Sequence, residues 1–133
     1  MDARQTVEAY YEALRAGESL GQFFAGARDD SDGATVKFGI SERLVGVDAV
    51  REGLASQTRT TRDWAVRSDA LRVTERDDHA RFSDEVALGW TDTDRGIRFE
   101  FDTRWSGTLE RRPGGDQPTW RFVGMHVSTA DDI

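Results

Sequence analysis

The stretch "WRFVGMHVS", residues 120–128, decides how the rest of the chain is read. It has the composition of a β-strand, yet both of its parities are largely apolar. Trp120, Phe122 and Gly124 alternate with Val123, Met125 and Val127, and then His126 and Ser128 fall together on the first of those faces. A strand covered on two sides that ends with two polar groups side by side suggests the wall of a lined pocket.

Working back from this strand, period-two patterning extends through 64–75, 79–91, 96–111 and 119–129, four long strands. The turns between the last three are "TDTDRG" (91–96) and "RRPGGDQP" (111–118), the second carrying a strong Pro-Gly-Gly hairpin signal. The first half of the chain has the helical period instead. Val7, Tyr10, Tyr11 and Leu14 make one apolar stripe over 3–16, and Gly17 is placed to end that helix. "ESLGQFFAG" reads as a second, short helix and "ARDDSDG" (27–33) as a polar loop. "ATVKFGI" (34–40) reads as a strand. "VGVDAVREGLASQTR" holds a third helix, with Asp48 as its N-cap and Val50 and Leu54 inward. Helix, helix, strand, helix and four long strands imply an α+β fold. Its expected form is a cone: a curved, mostly antiparallel sheet with three N-terminal helices enclosing a pocket.

The 133 residues fit a single domain, 1–133, able to bury roughly two-thirds of its unfolded surface. No apolar run approaches the ~20 residues that span a bilayer, and "MDARQTVEAYYEAL" lacks the apolar core of a signal peptide, so the expected location is cytoplasmic with no membrane partner. The absence of cysteine excludes disulfides and thiolate metal sites. A net charge of −7 argues against nucleic acid. Of 18 basic residues all are arginine except Lys37. That bias fits a GC-rich coding sequence, and the acidic surface also suits a halophilic, salt-rich cytoplasm.

Strand register determines which side chains meet. In the last hairpin, pairing Trp105 with Met125 sets Arg104 opposite His126 and Asp102 opposite Ser128. In the middle hairpin, the matching register brings Asp84 opposite Arg104. The concave face would then carry Phe82, Val86, Leu88, Trp90, Trp120 and Phe122 as walls, with Asp84, Asp102, Arg104, His126 and Ser128 as polar members. Phe99, Phe101, Trp105, Val123, Met125 and Val127 would form an uncovered apolar outer face, which implies a homodimer packed sheet against sheet.

The element order, "AYYEALRAGESLGQFFA", "ATVKFG", "GVDAVREGL" and the closing "SGTLERR…WRFVGMHVS" resemble the nuclear transport factor 2-like superfamily, nearest its SnoaL-like branch, over nearly the whole chain. The resemblance implies a cone-shaped fold around a deep pocket. Members include isomerases, polyketide cyclases, dehydratases, hydrolases and non-catalytic modules, so fold alone leaves function open. By comparison with ketosteroid isomerase, a relative, Tyr10 matches an oxyanion-hole tyrosine and Asp102 the second donor. The general-base position falls at Phe38, which cannot carry a proton.

Each candidate has two readings. His126 is a general base or a hydrogen-bonded core histidine. Asp84 is a carboxyl acid or base, or the ion-pair partner of Arg104. Arg104 binds an anionic ligand group or closes that same pair. Tyr10 donates to a ligand or is core, and Glu42 lies at the pocket mouth or in solvent. Trp64, Trp90 and Trp120 are walls suited to a flat apolar ligand. Two histidines without ligand spacing imply no metal, and no G-x-S-x-G elbow or phosphate-cradling loop exists, so no cofactor is expected. These residues point to a pocket for a small, largely apolar molecule. His126, Asp84 and Arg104 are the candidate catalytic groups for an isomerase, cyclase or dehydratase. Tyr10, Phe38, Trp90, Asp102, Trp120 and Ser128 are the candidate ligand contacts. The alternative is a non-catalytic binding or assembly module.

Overall fold

The computed structural model describes residues 1–26, 35–113 and 119–130. Helix α1 (Ala3–Ala16) opens the chain, and a single 3₁₀ turn follows at Gly21–Phe23. A short hairpin, β1 (Val36–Gly39) and β2 (Glu42–Val45), leads into α2 (Val47–Thr60). Strands β3 (Thr61–Ser68), β4 (Arg72–Glu75), β5 (His79–Asp92), β6 (Ile97–Arg112) and β7 (Thr119–Thr129) complete the fold. One curved, unclosed sheet runs β2-β1-β7-β6-β5-β3, with β4 pairing the far end of β5. Every pairing is antiparallel except β1 against β7. The α+β class holds.

Helix α1 ends where its sequence says. Asp2 and Gln5 form a reciprocal capping box at 2.8 Å in each direction, and Gly17 closes the helix at φ 70°. Its stripe of Val7, Tyr10, Tyr11 and Leu14 is buried in the concave face of the sheet. Three expectations about the elements fail. The second helix is only the 3₁₀ turn, because β7 engages the next residues: Phe24 bridges Phe122, and the Ala25 amide donates to the Phe122 carbonyl at 2.9 Å. The N-cap of α2 is Gly46 at φ 94°, and Asp48 sits in the first turn, where its charge meets the positive end of the helix dipole. The strand expected over 64–75 breaks at 69–71, where Asp69 and Ala70 turn their amides onto Glu85 and Asp84. The loop 27–33 and most of the turn 111–118 lie outside the described residues.

The register differs from expectation in both hairpins. Between β5 and β6 the pairs are Asp92–Ile97, Trp90–Phe99, Val86–Thr103 and Asp84–Trp105. Four residues lie between Asp92 and Ile97. Asp92 Oδ1 accepts from the amides of Asp94 and Arg95, and Gly96 takes a left-handed φ of 65°. That even loop puts Asp84 on the face of Trp105 and opposite in direction to Arg104, which pairs with Glu85. Between β6 and β7 the pairs are Trp105–Val127, Ser106–His126 and Arg104–Ser128, two residues from the expected alignment. A bulge between Thr108 and Leu109 on one side and Gly124 and Phe122 on the other leaves Val123 as the extra residue.

That bulge explains why both parities of 120–128 are apolar. Trp120 and Phe122 precede it, Met125 and Val127 follow it, and all four side chains are buried, Trp120 and Val127 at 5% exposure. Trp105, Thr103 and Leu109 join them under the helices. Of the apolar set assigned to an uncovered outer face, Trp105, Met125 and Val127 therefore belong to the core, while Phe99, Phe101 and Val123 are half-buried. The outer face of β6 is Arg98, Glu100, Asp102, Arg104, Ser106 and Thr108, all exposed. Among the described residues, the outward side of β6 is thus polar and is not the apolar face on which the sheet-to-sheet homodimer was expected to form.

Candidate functional site

The curved sheet leaves a hollow of about 110 Å³ between α1, α2 and the strand ends. Its walls are Trp64, Trp90, Trp105, Leu14, Leu88, Ile40 and Val127. Trp64 stacks on Trp90 with ring centroids 5.1 Å apart, and Trp90 stacks on Phe99 at 5.4 Å. The polar members are Lys37, Glu42, Tyr10, Gln57 and Thr61.

Lys37 is the notable member. Strand alternation on β1 turns it inward, paired with buried Met125 of β7, while Phe38 turns out beside His126. Its residue exposure is 6%, and its Nζ is ion-paired to the Glu42 carboxylate. The two-residue turn between Gly39 and Glu42, with Ser41 at φ 64°, folds that carboxylate back over the strand. A Cβ at residue 39 would lie 2.5 Å from Glu42 Oε1, so glycine there gives the carboxylate its seat. A buried ammonium is costly unless a counter-charge reaches it, and Glu42 supplies one. The side chain of Glu42 keeps 31% exposure, which places it at the mouth.

Tyr10 stands at the back of the hollow at 1% exposure, edge-on to Phe23, Phe24, Trp105 and Phe122. Burial pushes its phenol well above the usual tyrosine range, and the negative charge of Glu42 adds to that. The hydroxyl is thus a proton donor at any ordinary pH. Among the described residues, no group of three or more acidic or histidine side chains is placed to hold a metal ion. No helix of the described residues is long and apolar enough to cross a membrane.

The candidates taken from the sequence divide into three groups. Tyr10, Trp90 and Glu42 line the hollow. Asp84 and Trp120 are inside but away from it. Asp84, at 3% exposure, accepts from Tyr11 Oη (2.9 Å), Ser68 Oγ (2.5 Å) and the Ala70 amide (2.9 Å). It knots α1 to the β3–β4 turn, and the expected ion pair with Arg104 is precluded by their opposite directions. Trp120 is packed near Phe122 beyond the bulge. Arg104, His126 and Ser128 do come together, but on the outside of the sheet, in a shallow groove that Arg72, Ser83, Asp84, Glu85, Trp105 and Ser106 also border, although the Asp84 carboxylate is held inside by Tyr11, Ser68 and Ala70. Asp102 is exposed on that same side, and Phe38 packs edge-on to His126 at 6.3 Å. The residue missed was Lys37. Its signal was present: the single lysine among 18 basic residues, inside an apolar strand.

The sequence matches the family model of the SnoaL-like domain over residues 3–132. The chain belongs to the SnoaL-like family. No curated protein matches it in sequence. Solved structures similar to this SnoaL-like domain include a nuclear transport factor 2-like protein from Streptomyces avermitilis, named a candidate dehydratase. That protein has 16% identity and TM-score 0.78, over 97% of this chain and 94% of that one. A nuclear transport factor 2-like superfamily protein from Salmonella enterica Typhimurium gives 17% and 0.76 over 96% and 88%. A ketosteroid isomerase-like protein from Erwinia carotovora gives 17% and 0.73 over 97% and 94%. At these identities the likeness is one of fold.

Proposed function

We propose that this SnoaL-like domain binds a small, largely apolar carbonyl compound in the hollow and catalyses proton transfer next to the carbonyl. The supporting observation is the Lys37–Glu42 pair set into a tryptophan-walled cavity, with the Tyr10 hydroxyl behind it. Aromatic walls exclude water and hold a flat ligand by burial and stacking. Glu42, reached from solvent, is the base that removes a C–H proton. Lys37 and the neutral Tyr10 phenol are donors for the oxygen on which negative charge develops. Isomerisation and dehydration both begin with such a step. The candidate dehydratase and the ketosteroid isomerase-like protein among the structural neighbours are consistent with that class.

The test uses 2-indanone, a flat apolar ketone with exchangeable C–H bonds. It should raise the melting temperature, quench tryptophan fluorescence and exchange its α-protons for deuterium faster with the protein than without. Glu42→Gln should retain binding and lose exchange by about a hundredfold or more, the usual size of a general-base contribution. Binding without any Glu42-dependent exchange would favour a carrier or assembly role over catalysis.

A further inference from the structure

The position of Lys37 supports more than a donor role. An amine buried in an apolar cavity beside one carboxylate has what imine chemistry requires: a nucleophile, a base to free its lone pair and an acid to expel water. Lys37 lines the hollow at 6% exposure, its Nζ contacts Glu42, and Glu42 remains in reach of solvent.

We propose that Lys37 captures a small aldehyde or ketone as an imine, with Glu42 carrying the protons. It rests on the reading of the hollow as a carbonyl-binding site. Glu42 takes one proton from the ammonium, and the freed lone pair bonds to the carbonyl carbon as the C=O π electrons move to oxygen. One proton passes from nitrogen to that oxygen, giving a neutral carbinolamine. Glu42, now an acid, protonates the hydroxyl. The C–O bond breaks, water leaves, and the nitrogen lone pair closes the C=N bond. The net change is ammonium plus carbonyl to protonated imine plus water, with Glu42 restored as carboxylate and no oxidant or reductant consumed. The ligand class is a short or aromatic aldehyde or ketone able to enter between Trp64, Trp90 and Trp105.

Because Lys37 is the only lysine, the chain offers one side-chain amine and one α-amino group to any carbonyl reagent. The full-length protein is incubated with benzaldehyde and sodium cyanoborohydride, and the benzyl adduct is placed by peptide mapping. Lys37 should be labelled at least tenfold faster in the folded protein than in urea, although burial alone would slow it. Glu42→Gln should cut that rate at least tenfold, and Lys37→Arg, which keeps the charge and cannot form an imine, should leave only the α-amino group labelled. Labelling of Lys37 no faster folded than unfolded, or at the α-amino group alone, overturns the proposal. A benzaldehyde-induced rise in melting temperature with Lys37 unmodified would refute the imine and leave the carbonyl-binding site standing. Absence of both effects would remove the two together.

Discussion

Replacing Asp84 by alanine removes an acceptor on which three donors converge: Tyr11 Oη, Ser68 Oγ and the Ala70 amide. Ser68 lies at an exposed position and can turn its hydroxyl to water, whereas Tyr11 is buried at 2%. That leaves a phenol and a half-buried amide to be orphaned. At about 1–3 kcal/mol for each unsatisfied buried donor, the loss comes to roughly 4 kcal/mol. For a chain of this length that is a fall in melting temperature of about 12–20 °C. Asp84→Asn keeps one acceptor and lets the Tyr11 hydroxyl reverse its role, so it should cost only about 1–2 kcal/mol. Tyr11→Phe alone removes one donor at a similar cost, about 1–2 kcal/mol, and combined with Asp84→Asn should be less than additive. Urea unfolding of the three variants and the double mutant measures all of this, and 2-indanone binding should be unchanged in Asp84→Asn. A loss below about 1 kcal/mol in Asp84→Ala, or strict additivity with Tyr11→Phe, would refute the account of Asp84 as a structural knot.

Two glycines on facing strands should respond oppositely. A Cβ at Gly107 would stand 2.3 Å from the Gly124 carbonyl oxygen and 2.7 Å from the Phe82 ring, and the first of these is backbone that cannot turn away. Gly107→Ala should therefore cost about 3 kcal/mol or more in urea unfolding, while Gly124→Ala, which meets only Val36 Cγ2 at 3.8 Å, should stay within about 1 kcal/mol of the parent. The two tyrosines report on alkaline stability. Burial raises both phenols, with the hydrogen bond to Asp84 adding to the rise at Tyr11, so the folded state holds these protons more tightly than the unfolded chain. The stability they contribute is full below the ordinary tyrosine value of 10.0 and is lost as pH climbs above it. Absorbance at the phenolate band should thus appear only together with loss of tertiary circular dichroism above about pH 10; phenolate formed in a still-folded protein would contradict it.

Helix α1 was legible because its signals are local. Val7, Tyr10, Tyr11 and Leu14 recur at a single period, and Gly17 ends the pattern within one turn. Within each strand the faces were legible too: Phe82, Asp84, Val86 and Leu88 do share one side, as do Phe99, Phe101 and Trp105. What local periodicity does not carry is how one strand aligns with the next. The four-residue loop after Asp92 reverses the expected pairing of β5 with β6, and its clue was Asp-Thr-Asp-Arg-Gly, an aspartate placed to cap two amides before a left-handed glycine. The bulge at Val123 then swaps parity midway along β7, so no single alternation could describe that strand. The first departure puts Arg104, His126 and Ser128 on the far side of the sheet from Asp84, and the second separates His126 and Ser128 from Trp120 and Phe122. Lys37 was hidden for a different reason: its inward direction follows from its parallel pairing with Met125, a contact spanning most of the chain.

That parallel pairing sets an order of events during folding. Residues 36–38 find their partners only at 124–126, so β1 has no neighbour on that side until nearly the whole chain is available. Helix α1 and the β5–β6 hairpin close over short sequence distances and should form early, whereas docking β1 on β7 carries the entropy of a loop of most of the chain and comes late. The wall bearing the amine is thus among the last parts to be assembled, and a chain shortened by its final strand would never build the cavity.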